Sequence, residues 1–317
     1  MASSGENNFV MNYPKNPDVE ILICTHNREK LLVRTLASLN TCKNIESYSI
    51  GIFVVANACS DGTAEFLKHY VESISESDQL DSLPLRWMED PVPGKSHALN
   101  FALPHAKGHI IAFVDDDHRV DVGYLAAVCE AANSYPEADL FCGRILPDWD
   151  GSEPSWVHDT GPYRIYPLPI PVQDQGESPH LVGLDGPKPG GGNLVLRRAV
   201  FDRVGYFATE LGPQGHNLGG GEDTDFILRS LNAGEQMIYI PGIKQYHPNP
   251  NYAGRRVGTK WETLSDQGEA TLRDGVLILK ASKAGFGVRS SMLPRPEEPH
   301  FSFEMRSATR TEIKVQL

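Results

Sequence analysis

Short apolar runs alternate with amphipathic stretches through the first half of the chain. The apolar runs lie at 19–24, 50–55, 83–88, 109–114 and 138–146, and each has the length and composition of a buried strand. Between them apolar residues recur at helical spacing, as at Leu32, Leu36 and Leu39. Strands that alternate with helices predict an α/β fold, with a mixed, mainly parallel sheet covered by helices on both faces.

The pattern changes after Pro147. Residues 147–190 hold many of the prolines together with Trp149 and Trp156, and a long irregular segment of this kind is usually functional or disordered. We interpret it as an ordered loop that faces a ligand. Apolar periodicity then returns in a strand at 194–196, a helix that begins after Gly221, and a last strand at 237–240.

Residues 251–317 mix helix-like and strand-like pieces without a clear period. The predicted organisation is therefore an N-terminal arm, two halves of one domain and a C-terminal extension. Their boundaries are 1–17 for the arm, 18–146 and 147–250 for the two halves, and 251–317 for the extension.

Composition and charge exclude several classes of protein. A net charge of −12 argues against a nucleic-acid partner, which requires a basic face. No apolar run approaches the roughly 18 residues of a membrane span, and the polar N-terminus lacks the core of a signal peptide. The five cysteines are odd in number and form no C-x-x-C pair. Reduced thiols of this kind predict a cytoplasmic location, with peripheral membrane attachment left open.

Three consecutive aspartates, Asp115, Asp116 and Asp117, follow the fourth apolar run. Ligands of open α/β sheets bind beyond the carboxyl ends of the strands, which is where these side chains emerge. Adjacent carboxylates repel one another, and a hard divalent cation would relieve that repulsion and could bridge the phosphates of a nucleotide. The alternative is a solvated acidic turn, or a helix cap without a ligand.

Six motifs follow the predicted strands or open the predicted helices. They are Cys24-Thr25-His26-Asn27-Arg28, Asn57-Ala58-Cys59-Ser60-Asp61-Gly62-Thr63, Gly94-Lys95 with Asn100, Val114-Asp115-Asp116-Asp117, Gly191-Gly192-Asn193 and Gly221-Glu222-Asp223. In this order, over about residues 18–250, the chain resembles a family 2 glycosyltransferase of the GT-A fold. The resemblance implies a Rossmann-like sheet and the transfer of a sugar from a nucleotide-diphospho-sugar to an acceptor hydroxyl, with inversion at the anomeric carbon.

The resemblance also implies a donor site and a metal site. The residues expected to bind the donor nucleotide are Thr25, Asn27, Arg28, Asn57, Asp61, Lys95, Asp115 and Asp116. Mn²⁺ or Mg²⁺ is expected on Asp117, Asp115 and His247, with His118 as a weaker candidate. Asn57 occupies the region where many members carry an aspartate that recognises uracil, so a UDP-sugar is an expectation carried by the family. The alternatives are a helix cap for Asn27 and a solvated surface lysine for Lys95.

By the same resemblance, Asp223 is the general base that deprotonates the acceptor hydroxyl, and Glu222 is the next candidate. The alternative is that Asp223 only caps its helix. Gly191 and Gly192 are assigned to the acceptor side. Trp149 and Trp156 join them, because a flat apolar ring suits the C–H face of a sugar; alternatively, the tryptophans pin the loop to the protein.

Two rival functions remain at this stage. One is a metal-dependent nucleotidyltransferase or sugar-nucleotide hydrolase, although 24–28 lacks the glycine-rich loop usual in the nucleotidyltransferases. The other is a carbohydrate-binding protein without turnover, which the intact acidic motifs argue against.

Overall fold

The structure is a computed structural model that describes residues 13–76, 82–151, 172–213 and 220–248, and strands between 261 and 316. The chain divides into two compact units. The first comprises Met1–Asp148 with Pro171–Pro248, and the second comprises Trp149–Ile170 with Asn249–Leu317.

Nine strands form one sheet in the described part of the first unit. They are β1 (Val19–Thr25), β2 (Ile50–Asn57), β3 (Leu85–Asp90), β4 (Ile110–Phe113), β5 (Arg119–Val120), β6 (Leu140–Asp148), β7 (His180–Leu181), β8 (Leu194–Arg197) and β9 (Met237–Pro248). Their order is β3-β2-β1-β4-β8-β6-β9-β5, and β7 also pairs with β9. The strands β3, β2, β1 and β4 are parallel, as are β6 and β9, whereas β5, β7 and β8 run antiparallel to their neighbours. The prediction of a mixed, mainly parallel sheet is confirmed.

Helices cover both faces of this sheet, as predicted. They are α1 (Glu29–Leu39), α2 (Thr63–Glu76), α3 (Lys95–Ala102), α4 (Tyr124–Ser134), α5 (Val200–Val204) and α6 (Glu222–Asn232). Side chains alternate across a strand, so Ile21 and Ile23 of β1 join a core with α1, α2 and α4, whereas Leu22 joins a second core with α3, α5 and α6.

Two element boundaries differ from the prediction. The helix predicted over 95–106 ends at Ala102, and a 3₁₀ turn over Leu103–His105 follows because Pro104 cannot continue the helix. The last strand does not stop at Ile240 but continues to Pro248. It does so through an irregularity in β9, whose residues 240–243 pass opposite the single residue Gly143 of β6 before the parallel pairing resumes at Arg144 and Lys244.

The described segments of the second unit are strands, where the sequence predicted a mixture of helical and strand-like pieces. They are β10 (Trp261–Thr263), β11 (Gly268–Arg273), β12 (Val276–Ala281), β13 (Gly287–Ser290), β14 (Glu304–Arg306) and β15 (Glu312–Gln316). They form two antiparallel sheets, ordered β10-β13-β14 and β11-β12-β15. Among the described residues, no helix combines the length and the apolar character needed to cross a bilayer.

Candidate active site

A small recess opens at the carboxyl ends of β1 and β4. Its polar wall carries Lys95 at the start of α3, Asp115 after β4, and Glu222 and Asp223 at the start of α6. Apolar side chains from both strands and α3, together with Gly191 and Phe207, form the rest of the lining. The fold therefore brings the strand-end acid and the Glu-Asp pair, which lie more than 100 residues apart, to one pocket.

Lys95 links the two acidic groups of the recess. Its Nζ donates to Asp115 Oδ1 at 3.0 Å and lies 3.9 Å from Glu222 Oε1. Burial would raise the pKa of Asp115, but the Lys95 ammonium holds that pKa below its ordinary value. Burial likewise opposes the charge on Lys95, yet its two carboxylate neighbours raise its pKa. Burial raises the pKa of Glu222, against the influence of Lys95. Lys95 is thus an ion-pair partner in the pocket, and not a solvated surface lysine.

Arg28 binds the other two strand-end acids. Its Nη1 donates to Asp116 Oδ1 at 3.0 Å and to Asp117 Oδ2 at 3.1 Å. Asp116 is buried, and burial raises its pKa to about 6 despite the guanidinium of Arg28. Asp116 Oδ2 and the hydroxyl of Thr25 are both buried without a well-formed hydrogen bond among the described residues, but the hydroxyl is close enough to the Asp116 carboxylate to lower its pKa. The two groups therefore face each other at the strand ends, where a ligand hydroxyl could complete their hydrogen bonds.

Asp117, His118 and His247, which we call the metal cluster, could hold a metal ion between them. One ligand atom from each lies within 4.8 Å of the others. Asp117 Oδ1 is 3.9 Å from His118 Nε2. The ring centroids of His118 and His247 are 5.2 Å apart, with one ring edge-on to the other. Burial lowers the pKa of His247, which favours the neutral imidazole that a metal requires.

The structure thus brings together two of the three predicted metal ligands and adds His118. Asp115, the third, is not one of the three clustered residues; its Oδ1 accepts a hydrogen bond from Lys95, and its role as a metal ligand stays a prediction. The opposite oxygen of Asp117 is held by Arg28, so Oδ1 remains directed at the histidines.

Asp223 contacts the glycine motif directly. Its Oδ2 accepts the Gly191 N–H at 2.6 Å, and its Oδ1 accepts the Thr224 N–H at 2.7 Å. A Cβ added at Gly191 would lie 3.0 Å from Asp223 Cβ, and one added at Gly192 would lie 2.4 Å from Asp115 Oδ2. Glycine is therefore required here because the chain passes between the two acids. The assignment of both glycines to the acceptor side stays a prediction.

Other predicted donor residues bind protein groups. Asn27 adopts a left-handed φ of 53°, and its Oδ1 accepts the backbone N–H groups of Ser60 and Asp61. Asp61 in turn accepts the N–H and hydroxyl of Thr63 at the start of α2. These bonds join the two loops that follow β1 and β2, and binding of the nucleotide by Asn27 and Asp61 stays a prediction.

Asn57 is 5% exposed and its amide is engaged on both sides. Its Nδ2 donates to Asp90 Oδ2 and to the Val92 carbonyl, and its Oδ1 accepts the Gly94 N–H. A base could reach this amide only by exchanging those bonds, so its predicted contact with the nucleotide also stays untested. Trp149 belongs to the second unit, and Trp156 lies outside the described residues.

Comparison with known proteins places this site in a family. The model of glycosyl transferase family 2 matches residues 20–205. The chain belongs to this family. The predicted enzyme class is thereby confirmed.

Two curated relatives align over most of the chain. Succinoglycan biosynthesis protein ExoM of Rhizobium meliloti (strain 1021) is 25% identical, over 88% of this chain and 85% of its own. The glucosyl-dolichyl phosphate glucuronosyltransferase of Haloferax volcanii is 21% identical, over 72% of this chain and 68% of its own.

Solved structures confirm the GT-A fold. The mannosyltransferase PcManGT from Pyrobaculum calidifontis, solved with GDP-Man and Mn²⁺, superposes with a TM-score of 0.53 at 20% identity, covering 78% of this chain and 61% of its own. S. aureus TarS 1–349, solved with UDP-GlcNAc, superposes with a TM-score of 0.52 at 17% identity, covering 73% of this chain and 58% of its own. The chain therefore spans less than two-thirds of the length of these two structures.

Proposed function

We propose that this family 2 glycosyltransferase is an inverting, metal-dependent enzyme that moves a sugar from a nucleotide-diphospho-sugar to an acceptor hydroxyl. The observation that carries the proposal is the single recess lined by Lys95, Asp115 and the Glu-Asp pair, with the metal cluster beside it. Asp115 and Asp117 both follow β4, so the donor and metal groups converge at one strand end.

The donor set of the metal cluster fits Mn²⁺ better than Mg²⁺. Mg²⁺ prefers an all-oxygen octahedral set, whereas Mn²⁺ accepts imidazole nitrogen alongside carboxylate oxygen. Asp117 supplies one oxygen and the two histidines supply nitrogens. When bound, the ion would neutralise the negative charge that develops on the departing nucleoside diphosphate. Arg28 and Lys95 add fixed positive charge on either side of it.

Asp223 is the general base in this proposal. It lines the recess and is only half-buried; its Oδ1 accepts the N–H and the hydroxyl of Thr224, whereas its Oδ2 accepts the Gly191 N–H and keeps a further lone pair. A hydroxyl in the recess could therefore transfer its proton to Asp223 as it attacks the anomeric carbon. A single base and a single displacement invert the configuration.

The base of the donor nucleotide is a separate question. Neighbours of the same fold bind GDP-Man or UDP-GlcNAc, so the fold accommodates a purine or a pyrimidine. We retain a UDP-sugar as the first donor to test. We also retain the cytoplasmic location, which the five unpaired cysteines support. The acceptor named for the Haloferax relative is a lipid-linked sugar, so peripheral membrane association goes with this proposal.

The test measures nucleoside diphosphate release from UDP-, GDP- and dTDP-sugars, with and without carbohydrate acceptors, in Mn²⁺ and in EDTA. Acceptor-dependent, EDTA-sensitive release is expected, and proton NMR of the first product should show the inverted anomeric configuration. Equal release without acceptor would indicate a sugar-nucleotide hydrolase. Release of pyrophosphate from a nucleoside triphosphate, when a sugar 1-phosphate replaces the acceptor, would indicate a nucleotidyltransferase. Binding without release of any product would indicate a carbohydrate-binding protein.

A further inference from the structure

A chain of buried polar side chains lies beneath the metal cluster. Asn193 and Gln245 are completely buried, and His118 is 3% exposed. Asn193 ends the glycine motif and Gln245 lies on β9, two residues before His247. Buried amides of this kind are costly unless every donor and acceptor is paired, so their hydrogen bonds have defined directions.

Two backbone carbonyl groups fix the orientation of the Asn193 amide, and with it the direction of the hydrogen bonds. Asn193 Nδ2 donates to the carbonyl oxygens of Arg144 at 2.9 Å and Ile243 at 3.1 Å. A carbonyl oxygen only accepts, so this side of the amide must be the NH₂ group. The Oδ1 of Asn193 is therefore the atom that faces Gln245.

The same reasoning fixes the next amide. Gln245 Nε2 donates to Asn193 Oδ1 at 3.0 Å and also faces the Phe113 carbonyl and the Tyr124 hydroxyl, at 3.4 Å and 3.1 Å. If the Gln245 amide were flipped, its Oε1 would face Asn193 Oδ1 and the Phe113 carbonyl oxygen, and none of these three atoms can donate a hydrogen bond. Its Oε1 is consequently the atom that lies 2.6 Å from His118 Nδ1, and that nitrogen must carry the hydrogen.

We propose that Asn193 and Gln245 are positioning residues that hold His118 in the Nδ1–H tautomer, so that its Nε2 lone pair faces a divalent cation shared with Asp117 and His247. The inference rests on the metal dependence proposed above. His247 is held in the same tautomer independently, because its Nδ1 lies 2.9 Å from the carbonyl oxygen of Pro248. Both imidazoles then present Nε2 to the metal cluster.

The first experiment needs neither metal nor activity. The metal-free wild-type protein is labelled with ¹⁵N-histidine, and long-range ¹H–¹⁵N correlation spectra are recorded at pH 8, with a His118→Asn variant to assign the resonance. His118 is expected to show a protonated Nδ1 and an unprotonated Nε2. A protonated Nε2 would overturn the proposal whatever the metal does.

The second experiment titrates the protein with Mn²⁺ alone and follows free Mn²⁺ by electron paramagnetic resonance. Gln245→Met has a similar shape but no hydrogen bonds, and it should weaken Mn²⁺ binding by about 10- to 100-fold. Tyr124→Phe is the matched control, because it removes one partner of the same amide and leaves Asn193 and Phe113 to orient it. It should stay within about threefold of wild type, since the tautomer is unchanged.

The outcomes separate the two proposals. Unchanged Mn²⁺ affinity in Gln245→Met, or an equal loss in both variants, would show that the amide has a packing role only. If the wild type binds no Mn²⁺, the proposed metal dependence fails. The spectrum of the metal-free protein still tests whether Asn193 and Gln245 hold His118 in the Nδ1–H tautomer. Should Gln245→Met not fold, the wild-type spectrum alone tests the direction of the hydrogen bonds.

Discussion

Replacing Asp223 by asparagine tests the assignment of the general base. The amide keeps the shape of the side chain but cannot take up the proton of the acceptor. Loss of a general base lowers turnover by about two to four orders of magnitude, equivalent to about 3 to 5 kcal/mol of activation free energy. The Michaelis constant for the donor should change little, because the change removes no group proposed to bind the nucleotide.

The stability cost of this variant is smaller and can be estimated from its contacts. The two oxygens of Asp223 each accept a backbone N–H, from Gly191 and Thr224, and an amide can accept only one of them. One mismatched N–H at a half-buried site costs about 1 kcal/mol, the lower end for an unsatisfied donor. For a domain of this size that lowers the melting temperature by about 2 to 4 °C. The protein therefore stays folded at assay temperature, and unfolding cannot account for a hundredfold loss of turnover.

The assay compares steady-state nucleoside diphosphate release at saturating donor and acceptor, alongside thermal melts. Asp225→Asn is the matched control, since Asp225 lies on the same helix and bonds Arg229 at 2.9 Å, with no place in the recess lining. It should retain turnover within about twofold, as for substitutions remote from the chemistry. Turnover of Asp223→Asn within about fivefold of wild type would refute the base assignment, and Glu222→Gln would then be the variant to measure.

Three further substitutions test the neighbouring groups. Asp117→Ala should abolish Mn²⁺-dependent binding of the nucleoside diphosphate in calorimetry without lowering the melting temperature, because it removes one of three crowded carboxylates; unchanged Mn²⁺-dependent affinity would contradict the metal cluster. Gly192→Ala places a Cβ 2.4 Å from Asp115 Oδ2 and should lower stability by about 1 to 3 kcal/mol and reduce turnover. Gly183→Ala, where an added Cβ meets nothing within 4 Å, should do neither. Asp116→Asn should stabilise the metal-free protein at pH 8 by on the order of 2 to 3 kcal/mol, and in urea titrations it should lose about half of that gain by pH 5 and most of it by about pH 4. The folded-state pKa of Asp116, about 6, lies above the unfolded value, so its charge costs stability only as the pH rises through that range; an equal gain at every pH would contradict this account.

Much of the site follows from local sequence. A buried strand that ends in three carboxylates places them at the ligand-binding edge of a parallel sheet, and Asp115, Asp116 and Asp117 lie there. Glu222 and Asp223 open a helix after a glycine run, and the structure brings them to the same recess. These placements depend on strand direction and helix starts, which periodicity predicts well.

Local sequence does not predict which partner each side chain of the site bonds. Asp115 was predicted to share the metal with Asp117; that role stays a prediction, but the structure also pairs its Oδ1 with Lys95, which comes from a separate helix. Asn57 was predicted to reach the nucleotide, yet Asp90 and the loop after it engage both sides of its amide. Each preference is set by a partner 20 to 37 residues away in sequence, and one sequence carries no signal of which partner lies closest.

The length of β9 explains why Gln245 escaped the sequence analysis, although His247 and His118 were both named there as candidate metal ligands. The apolar run ends at Ile240, and Pro241 with Gly242 looks like a turn. The strand nevertheless continues, because its residues 240–243 bulge opposite Gly143 of β6, where any side chain would strike the Ile243 carbonyl.

Once the strand runs to Pro248, its side-chain alternation puts Gln245 and His247 on one face, towards His118. Tyr246 lies on the other face, where its ring packs under Arg119 and its hydroxyl bonds Asp121. One bulge therefore decides whether β9 delivers His247, a proposed metal ligand, together with Gln245, the proposed positioning residue of His118. A substitution at Gly143 that slipped the register by one residue would exchange the two faces and direct Tyr246 into the metal cluster.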